Sequence, residues 1–203
     1  LALLGRNGAG KTSTLRTIAR ASSPELRSGE VWLAVEPLHN KANFAAARAG
    51  VLLVKEDLRI NQGLTVQENL ELAQISGEKG WSFERIFELF PRLAERRKQE
   101  GTTMSGGEQQ MLAIARALAR DVKLLLLDEP YEGLAPVVRQ DIAKALLEVR
   151  SAGITSIIVE QNAVAALQLS DRSVILDSGE VVYDGSAQDV LDNEELRLKY
   201  LAI

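Results

Sequence analysis

The stretch GRNGAGKT at Gly5–Thr12 decides the fold, because it matches the phosphate-binding pattern GxxxxGK[ST]. It follows the apolar run Leu1–Leu4, which is typical of a buried strand, and it precedes a helical pattern over residues 11–20. Glycines let the backbone approach a ligand closely, and the free N–H groups at a helix start attract anions. The stretch therefore predicts a strand, loop and helix unit that binds the phosphates of a nucleotide.

Two side chains of this loop are expected to carry chemistry. Lys11 brings a positive charge to the β and γ phosphates, and Thr12 offers a hydroxyl to Mg²⁺. A glycine-rich turn without a ligand is the alternative, which the strand before and the helix after it disfavour. The nucleotide contacts that the motif predicts are Gly5, Arg6, Asn7, Gly8, Ala9, Gly10, Lys11 and Thr12.

The run LLLLDEP at residues 124–130 adds two carboxylates. A strand that is apolar along its whole length is typical of the centre of a parallel sheet, buried on both faces. Asp128 lies at its carboxyl end, where open α/β sheets bind ligands, and is expected to hold Mg²⁺ through water. Glu129 is placed to polarise an attacking water as general base. A solvated acidic pair is the alternative, disfavoured by the phosphate loop upstream.

The stretch SGGEQQ at residues 105–110 combines a helix cap with two glycines. Ser105 and Glu108 match a capping box, so helix formation alone could explain them. Capping does not require the glycines, each of which costs about 1 kcal/mol in a helix interior relative to alanine. Bare N–H groups at a helix start explain them as an anion site. A second phosphate contact is therefore predicted at Ser105, Gly106, Gly107, Glu108 and Gln109.

Strand and helix patterns alternate along the chain, which indicates an α/β fold with a parallel sheet. At 203 residues the chain is long enough for one domain with a sizeable core. A closing hairpin and a helix capped by Ser186 are also predicted. The predicted strands are 31–35, 51–54, 123–127, 155–159, 174–176 and 181–183, and the other predicted helices are 65–73 and 137–151.

Composition excludes several classes of function. The chain has no cysteine, which rules out disulfides and thiol ligands. Its net charge of -4 gives no overall attraction to nucleic acid, so no nucleic-acid partner is expected. The apolar runs are far shorter than the roughly 20 residues that cross a bilayer, so membrane association is expected only through a partner.

These motifs, with GLAP at residues 133–136 and VEQN at 159–162, resemble an ABC transporter ATP-binding subunit, and most of all the branched-chain amino acid uptake branch. The resemblance runs from Leu1 to about Ala202. It implies a P-loop NTPase (RecA-like) parallel-sheet core at about 1–57 and 121–203, with a helical subdomain inserted at about 58–120. It also implies that N-terminal antiparallel strands are missing from this sequence.

The resemblance further implies partners and a place in the cell. Two ATPase subunits, identical or similar, would sandwich ATP and Mg²⁺. The nucleotide would lie between Gly5–Ser13, Asp128 and Glu129 of one subunit and Ser105–Gln109 of the other. Integral membrane permease subunits would dock near residues 58–100 and couple hydrolysis to transport at the cytoplasmic face of the membrane. A periplasmic or extracellular substrate-binding protein would take part indirectly.

Four positions depart from the wider family pattern. Glu56 stands where most relatives have a glutamine that contacts Mg²⁺, and a carboxylate can still ligate that ion. Gln161 fills the slot of a histidine that senses the γ-phosphate; it can donate a hydrogen bond but cannot carry a proton, which leaves more of the catalysis to Glu129. Tyr131 and Glu132 stand where small residues are expected.

Two alternatives stay open from the sequence. One is an ABC ATPase that works on nucleic acid or ribosomes rather than in transport, against which a single acidic cassette argues. The other is a nucleotide-binding subunit with little hydrolysis, suggested by Gln161. The presence of Lys11, Asp128 and Glu129 argues for hydrolysis instead.

Overall fold

A six-stranded sheet forms the centre of the protein. The computed structural model describes residues 1–55, 58, 60–75 and 78–201. The strands are β1 (Ala2–Leu4), β2 (Trp32–Leu33), β3 (Glu36–Pro37), β4 (Val51–Val54), β5 (Leu124–Asp128), β6 (Thr155–Val159), β7 (Arg172–Asp177) and β8 (Glu180–Ser186). The sheet order is β4-β5-β6-β1-β7-β8, parallel from β4 to β7, with β8 antiparallel at the edge. The predicted α/β fold with a parallel sheet is confirmed.

Helices cover both faces of the sheet, because alternate strand residues point to opposite sides. Leu126 of β5 packs with Leu15 in one buried cluster, while Leu125 and Leu127 belong to the other. The helices are α1 (Lys11–Ile18), α2 (Asn43–Arg48), α3 (Val66–Ile75), α4 (Phe83–Leu89), α5 (Pro91–Glu95), α6 (Gly106–Leu118), α7 (Pro136–Ser151), α8 (Ala163–Gln168), α9 (Ala187–Asp192) and α10 (Glu194–Leu196).

The helical stretch α3 to α6 interrupts the alternation between β4 and β5. Its buried side chains, such as Leu70, Ile86 and Met111, share one cluster with Leu125 of the sheet. The stretch is therefore packed on the sheet through a continuous apolar core, which fixes α6 relative to β5. The division of the chain into a core and a subdomain at residues 58–120 stays a prediction.

Most predicted elements are confirmed, with one correction. The single strand predicted at residues 31–35 is wrong, because Ala34 adopts φ 51° and turns the chain back, so that β2 and β3 pair antiparallel. The closing hairpin has the predicted form, with φ 51° at Ser178 and 87° at Gly179 between β7 and β8. Ser186 caps α9 by accepting from the N–H of Gln188, as expected.

Within the described ranges, none of the helices combines the length and apolar character that a bilayer crossing requires.

Candidate nucleotide-binding site

The carboxyl ends of β1, β6 and β5 lie side by side and carry the predicted phosphate loop, Gln161 and Glu129. Because β6 lies between β1 and β5, Gln161 comes between the other two groups. Together they enclose an open cavity of about 350 Å³. Its lining residues are Asn7, Gly8, Gly10, Lys11, Thr12, Ser13, Glu129, Glu132 and Gln161.

The phosphate loop needs glycine for two separate reasons. A side chain at Gly5 would place its Cβ 2.2 Å from the carbonyl oxygen of Leu176, so a larger residue does not fit there. Gly10 adopts φ 104° as the cap of α1, a left-handed conformation that favours glycine. The loop is therefore held against β7 and leads directly into the helix start, where anions bind.

Lys11 lies inside the loop and is 7% exposed. Its Nζ donates to the carbonyl oxygens of Gly5 (2.8 Å) and Arg6 (3.1 Å). Burial lowers the pKa of Lys11, and the nearby charges of Glu129 and Asp128 oppose that shift. The ammonium is thus held at the cavity wall, where it can meet a phosphate.

The side chains of Arg6 and Ala9, two of the predicted nucleotide contacts, do not line the cavity. The guanidinium of Arg6 donates to the carbonyl of Lys199 (2.9 Å), and the methyl group of Ala9 is buried. The carbonyl of Ala9 accepts from the N–H of Gly179 (3.1 Å), which ties the loop to the β7–β8 turn. Arg6 and Ala9 can therefore serve the loop through its architecture, and neither is among the residues that line the cavity.

Thr12, which lines the cavity, contacts Asp128. The Thr12 hydroxyl donates to Oδ1 of Asp128 at 3.0 Å, although the two residues lie on different elements. The Thr12 hydroxyl oxygen and the Asp128 carboxylate oxygen are suitable ligands for Mg²⁺, because this ion binds oxygen atoms and retains several water ligands. No cluster of three acidic or histidine side chains that could cage a metal occurs in the part of the chain that the structure describes. The predicted third ligand, Glu56, lies outside the described residues.

Glu129 and Gln161 form a direct contact at the cavity mouth. The Gln161 Nε2 donates to Oε2 of Glu129 at 2.6 Å. Glu129 itself adopts φ 52°, a strained value for a non-glycine residue, and its N–H donates to the carbonyl of Val159 (2.9 Å). The amide of Gln161 therefore orients the carboxylate, and the strand β6 fixes its backbone.

The predicted second phosphate contact, Ser105–Gln109, does not line this cavity. Its capping box is present, since the Ser105 hydroxyl caps α6 and Glu108 accepts from the Ser105 N–H at 3.0 Å. Arg96 also binds Glu108, with 2.7 Å between Nε and Oε1. Sequence reasoning did not single out this ion pair, because the two residues lie on different elements.

The two glycines of this stretch differ in their surroundings. A Cβ at Gly107 would come 2.6 Å from Cγ1 of Val138, so this glycine is required for the contact between α6 and α7. A Cβ at Gly106 would meet nothing within 4 Å. The expectation that both glycines serve an anion site is therefore incomplete, because packing alone accounts for Gly107.

This difference predicts that two matched substitutions change the stability of the protein by different amounts. Gly107→Ala should lower the free energy of unfolding by about 1–3 kcal/mol, the usual cost of overpacking a tight contact. Gly106→Ala should change it by about 0.5 kcal/mol or less, as surface substitutions do. Urea denaturation of both variants measures the difference. Equal stability of the two variants would contradict the assigned packing role of Gly107.

Glu160 is a buried acid that the sequence analysis did not identify. It is 5% exposed, and its Oε1 accepts the N–H of Tyr131 at 2.7 Å. Burial raises the pKa of Glu160 to about 7, helped by the charge of Glu129 and opposed by hydrogen bonds from the N–H groups of Tyr131 and Gln161 and by the charge of Arg139. A charged residue directly after an apolar strand was the available signal.

Glu160 also lines a second cavity of about 440 Å³, next to the first. The two cavities share Glu129, Glu132 and Gln161. The loop that follows β5 therefore separates the phosphate cavity from the pocket that holds Glu160.

The model of the protein family described as "ABC transporter" matches residues 1–132, which is well over half of the chain. This protein belongs to the ABC transporter family. The ABC ATPase is 42% identical over 202 residues to the high-affinity branched-chain amino acid transport ATP-binding protein BraG of Pseudomonas aeruginosa, covering 98% of this chain and 86% of BraG. It is 34% identical to the probable branched-chain amino acid transport ATP-binding protein LivF of Archaeoglobus fulgidus, covering 96% of this chain and 83% of LivF.

A solved structure supports the fold of the ABC ATPase. A bacterial ABC transporter cassette, solved as a dimer, superposes with a TM-score of 0.77 at 24% identity, covering 92% of this chain and 84% of that cassette. The family activity is ATP hydrolysis. The cavity of the ABC ATPase offers the groups that this reaction needs, namely a cation from Lys11, oxygens for Mg²⁺ and a carboxylate beside the phosphate position.

Proposed function

We propose that this ABC ATPase is the ATP-hydrolysing subunit of an importer for branched-chain or related amino acids. The observation that carries the proposal is the 42% identity to BraG over nearly the whole chain. The match to LivF supports the same substrate class. In this reading the chain works at the cytoplasmic face of the membrane, held there by permease subunits, with a substrate-binding protein acting on the opposite side.

Hydrolysis would follow from the cavity geometry. The N–H groups of residues 8–12 and the Lys11 ammonium would hold the β and γ phosphates, and Thr12 and Asp128 would hold Mg²⁺, which neutralises developing charge on the phosphate oxygens. Glu129 would accept the proton of the attacking water. The contact of 2.6 Å from Gln161 leaves one carboxylate oxygen of Glu129 to face that water.

A dimer would complete the site. The stretch 105–109 caps α6 but does not reach the phosphate cavity of its own chain, and Gly106 faces open space. A second subunit could therefore bring Ser105, Gly106 and the α6 start to the γ-phosphate, as the dimeric form of the solved cassette suggests. The partner would be an identical or a similar ATPase subunit.

A groove beside the sheet is the proposed docking site for a permease helix. It has a volume of about 470 Å³ between β4, α3 and α6, and Lys55 is among its lining residues. The apolar side chains of Leu72 and Ile75 on α3 are 41% and 81% exposed. An apolar helix end with acidic flanks would match both features.

Amino acid uptake by the source cell tests the proposal. Deletion of this ABC ATPase should lower uptake of radiolabelled leucine, isoleucine and valine by about 10-fold or more, because transport without a motor stops. The wild-type protein should restore uptake, and Glu129→Gln should not. Uptake of a basic amino acid serves as the control. Unchanged uptake of all three branched-chain amino acids in the deletion strain would overturn the proposed substrate class.

A further inference from the structure

Glu160 closes a ring of contacts around Glu129. Its carboxylate binds the N–H of Tyr131, two residues after Glu129, and Gln161, the residue after Glu160, donates through its side chain to the Glu129 carboxylate. The backbone of Glu129 is fixed to β6 by its bond to Val159. The general base is thus held at its backbone, at its side chain and at the loop that follows it.

These contacts hold Glu129 in an unfavourable backbone conformation. Glu129 adopts φ 52°, and a non-glycine residue keeps such a conformation only where its neighbours fix it. Tyr131 is 6% exposed, and its N–H donates to the Glu160 carboxylate at 2.7 Å. Glu160 therefore satisfies a buried donor at the end of the strained segment.

We propose that Glu160 is a positioning residue for ATP hydrolysis, which fixes the loop that carries Glu129 and does so best as a carboxylate. A carboxylate accepts a stronger hydrogen bond from Tyr131 than a neutral acid or an amide does. This inference rests on the proposed role of Glu129 as general base.

The surroundings of Glu160 bring its pKa into the physiological pH range. Burial is the main cause of its raised pKa of about 7, and the negative charge of Glu129 adds to it. Arg139 from α7 and the N–H groups of Tyr131 and Gln161 favour the ionised form. Glu132 and Tyr131 line the same pocket. Hydrolysis should therefore gain from Glu160 as pH rises through about 7.

A pH profile of three variants separates this role from a merely structural one. The kcat for saturating Mg²⁺-ATP is measured from pH 6 to 8 for the wild type, Glu160→Gln, Glu160→Ala and the surface control Glu148→Gln. The ratio of wild-type kcat to Glu160→Gln kcat should rise from about 1 at pH 6 to about 5 at pH 8, because only the wild type becomes ionised there. The ratio of the two kcat values is used because the ionisation of the nucleotide, and of every other group that both proteins contain, affects both values equally.

Glu160→Ala should lower kcat about 10-fold at every pH, because it removes the side chain that fixes the Tyr131 N–H and with it the loop after Glu129. The KM for ATP should stay within about 2-fold in both variants, since Glu160 does not line the phosphate cavity. Glu148→Gln should follow the wild type. Circular dichroism confirms that each variant is folded.

Two results would overturn the inference. One is a ratio of wild type to Glu160→Gln that does not change with pH, and the other is a wild-type kcat in Glu160→Ala. Turnover by Glu129→Gln would instead remove Glu129 as the base, so the failure of the proposed base and the failure of this inference are distinguishable.

Discussion

Replacement of Glu129 by glutamine should lower ATP turnover by about 100-fold to 10,000-fold, the range lost when a general base is removed. Glutamine has the same shape, and its carbonyl oxygen can still accept from the Nε2 of Gln161, which now donates at 2.6 Å. It cannot take a proton from water. The variant therefore removes the chemistry and keeps the geometry, so ATP binding should change by less than about 3-fold.

Phosphate release and nucleotide binding have to be measured on the same preparation. In the presence of Mg²⁺-ATP the Glu129→Gln variant should accumulate as a dimer, because the bound nucleotide is not consumed; light scattering detects the change in mass. Glu148→Gln, an exposed carboxylate on α7, is the matched control and should keep full turnover. Rapid turnover by the Glu129 variant would show that another group receives the proton.

Lys11→Ala should weaken ATP binding by about 100-fold or more, because it removes the buried positive charge that we propose to bind the β and γ phosphates. The effect on stability should be smaller. The ammonium already has two partners at 2.8 and 3.1 Å, and both are carbonyl groups of the loop itself. Those carbonyls lie in an open cavity and can bind water instead.

Fluorescent ATP analogues measure this affinity directly. Lys11→Arg retains the charge but not the compact ammonium, so it should fall between the wild type and Lys11→Ala. Lys144→Ala, an exposed lysine on α7, is the surface control. A wild-type affinity in Lys11→Ala would contradict the assignment of the phosphate loop. A large loss of thermal stability would show instead that Lys11 holds the loop together.

The sequence predicted the parts of the fold that depend on neighbours along the chain. Strand β5 is apolar through four successive leucines, and α6 begins at the capping box of Ser105 and Glu108. Both signals are complete within a few residues. The strand predicted at residues 31–35 failed because the left-handed turn at Ala34 leaves no trace in the hydrophobic pattern.

What the sequence could not predict depends on residues that only the fold brings together. Gly107 needs to be small because Val138, 31 positions away, approaches its backbone. The tie between Glu160 and Tyr131 spans 29 positions. Neither contact has a local pattern. The loop at Gly5–Thr12 could be identified because its residues are continuous in the sequence, and the residues that hold Glu129 in place could not.

The strand order has a consequence for synthesis on the ribosome. β1, which carries the phosphate loop, pairs with Ile158 and Val159 on one side and with Ser173–Ile175 on the other. Both neighbours are made more than 150 residues after it. In a nascent chain the phosphate loop therefore lacks both neighbouring strands of β1 until β6 and β7 have been made. ATP binding should therefore arise late in synthesis, once β6 and β7 can pair with β1.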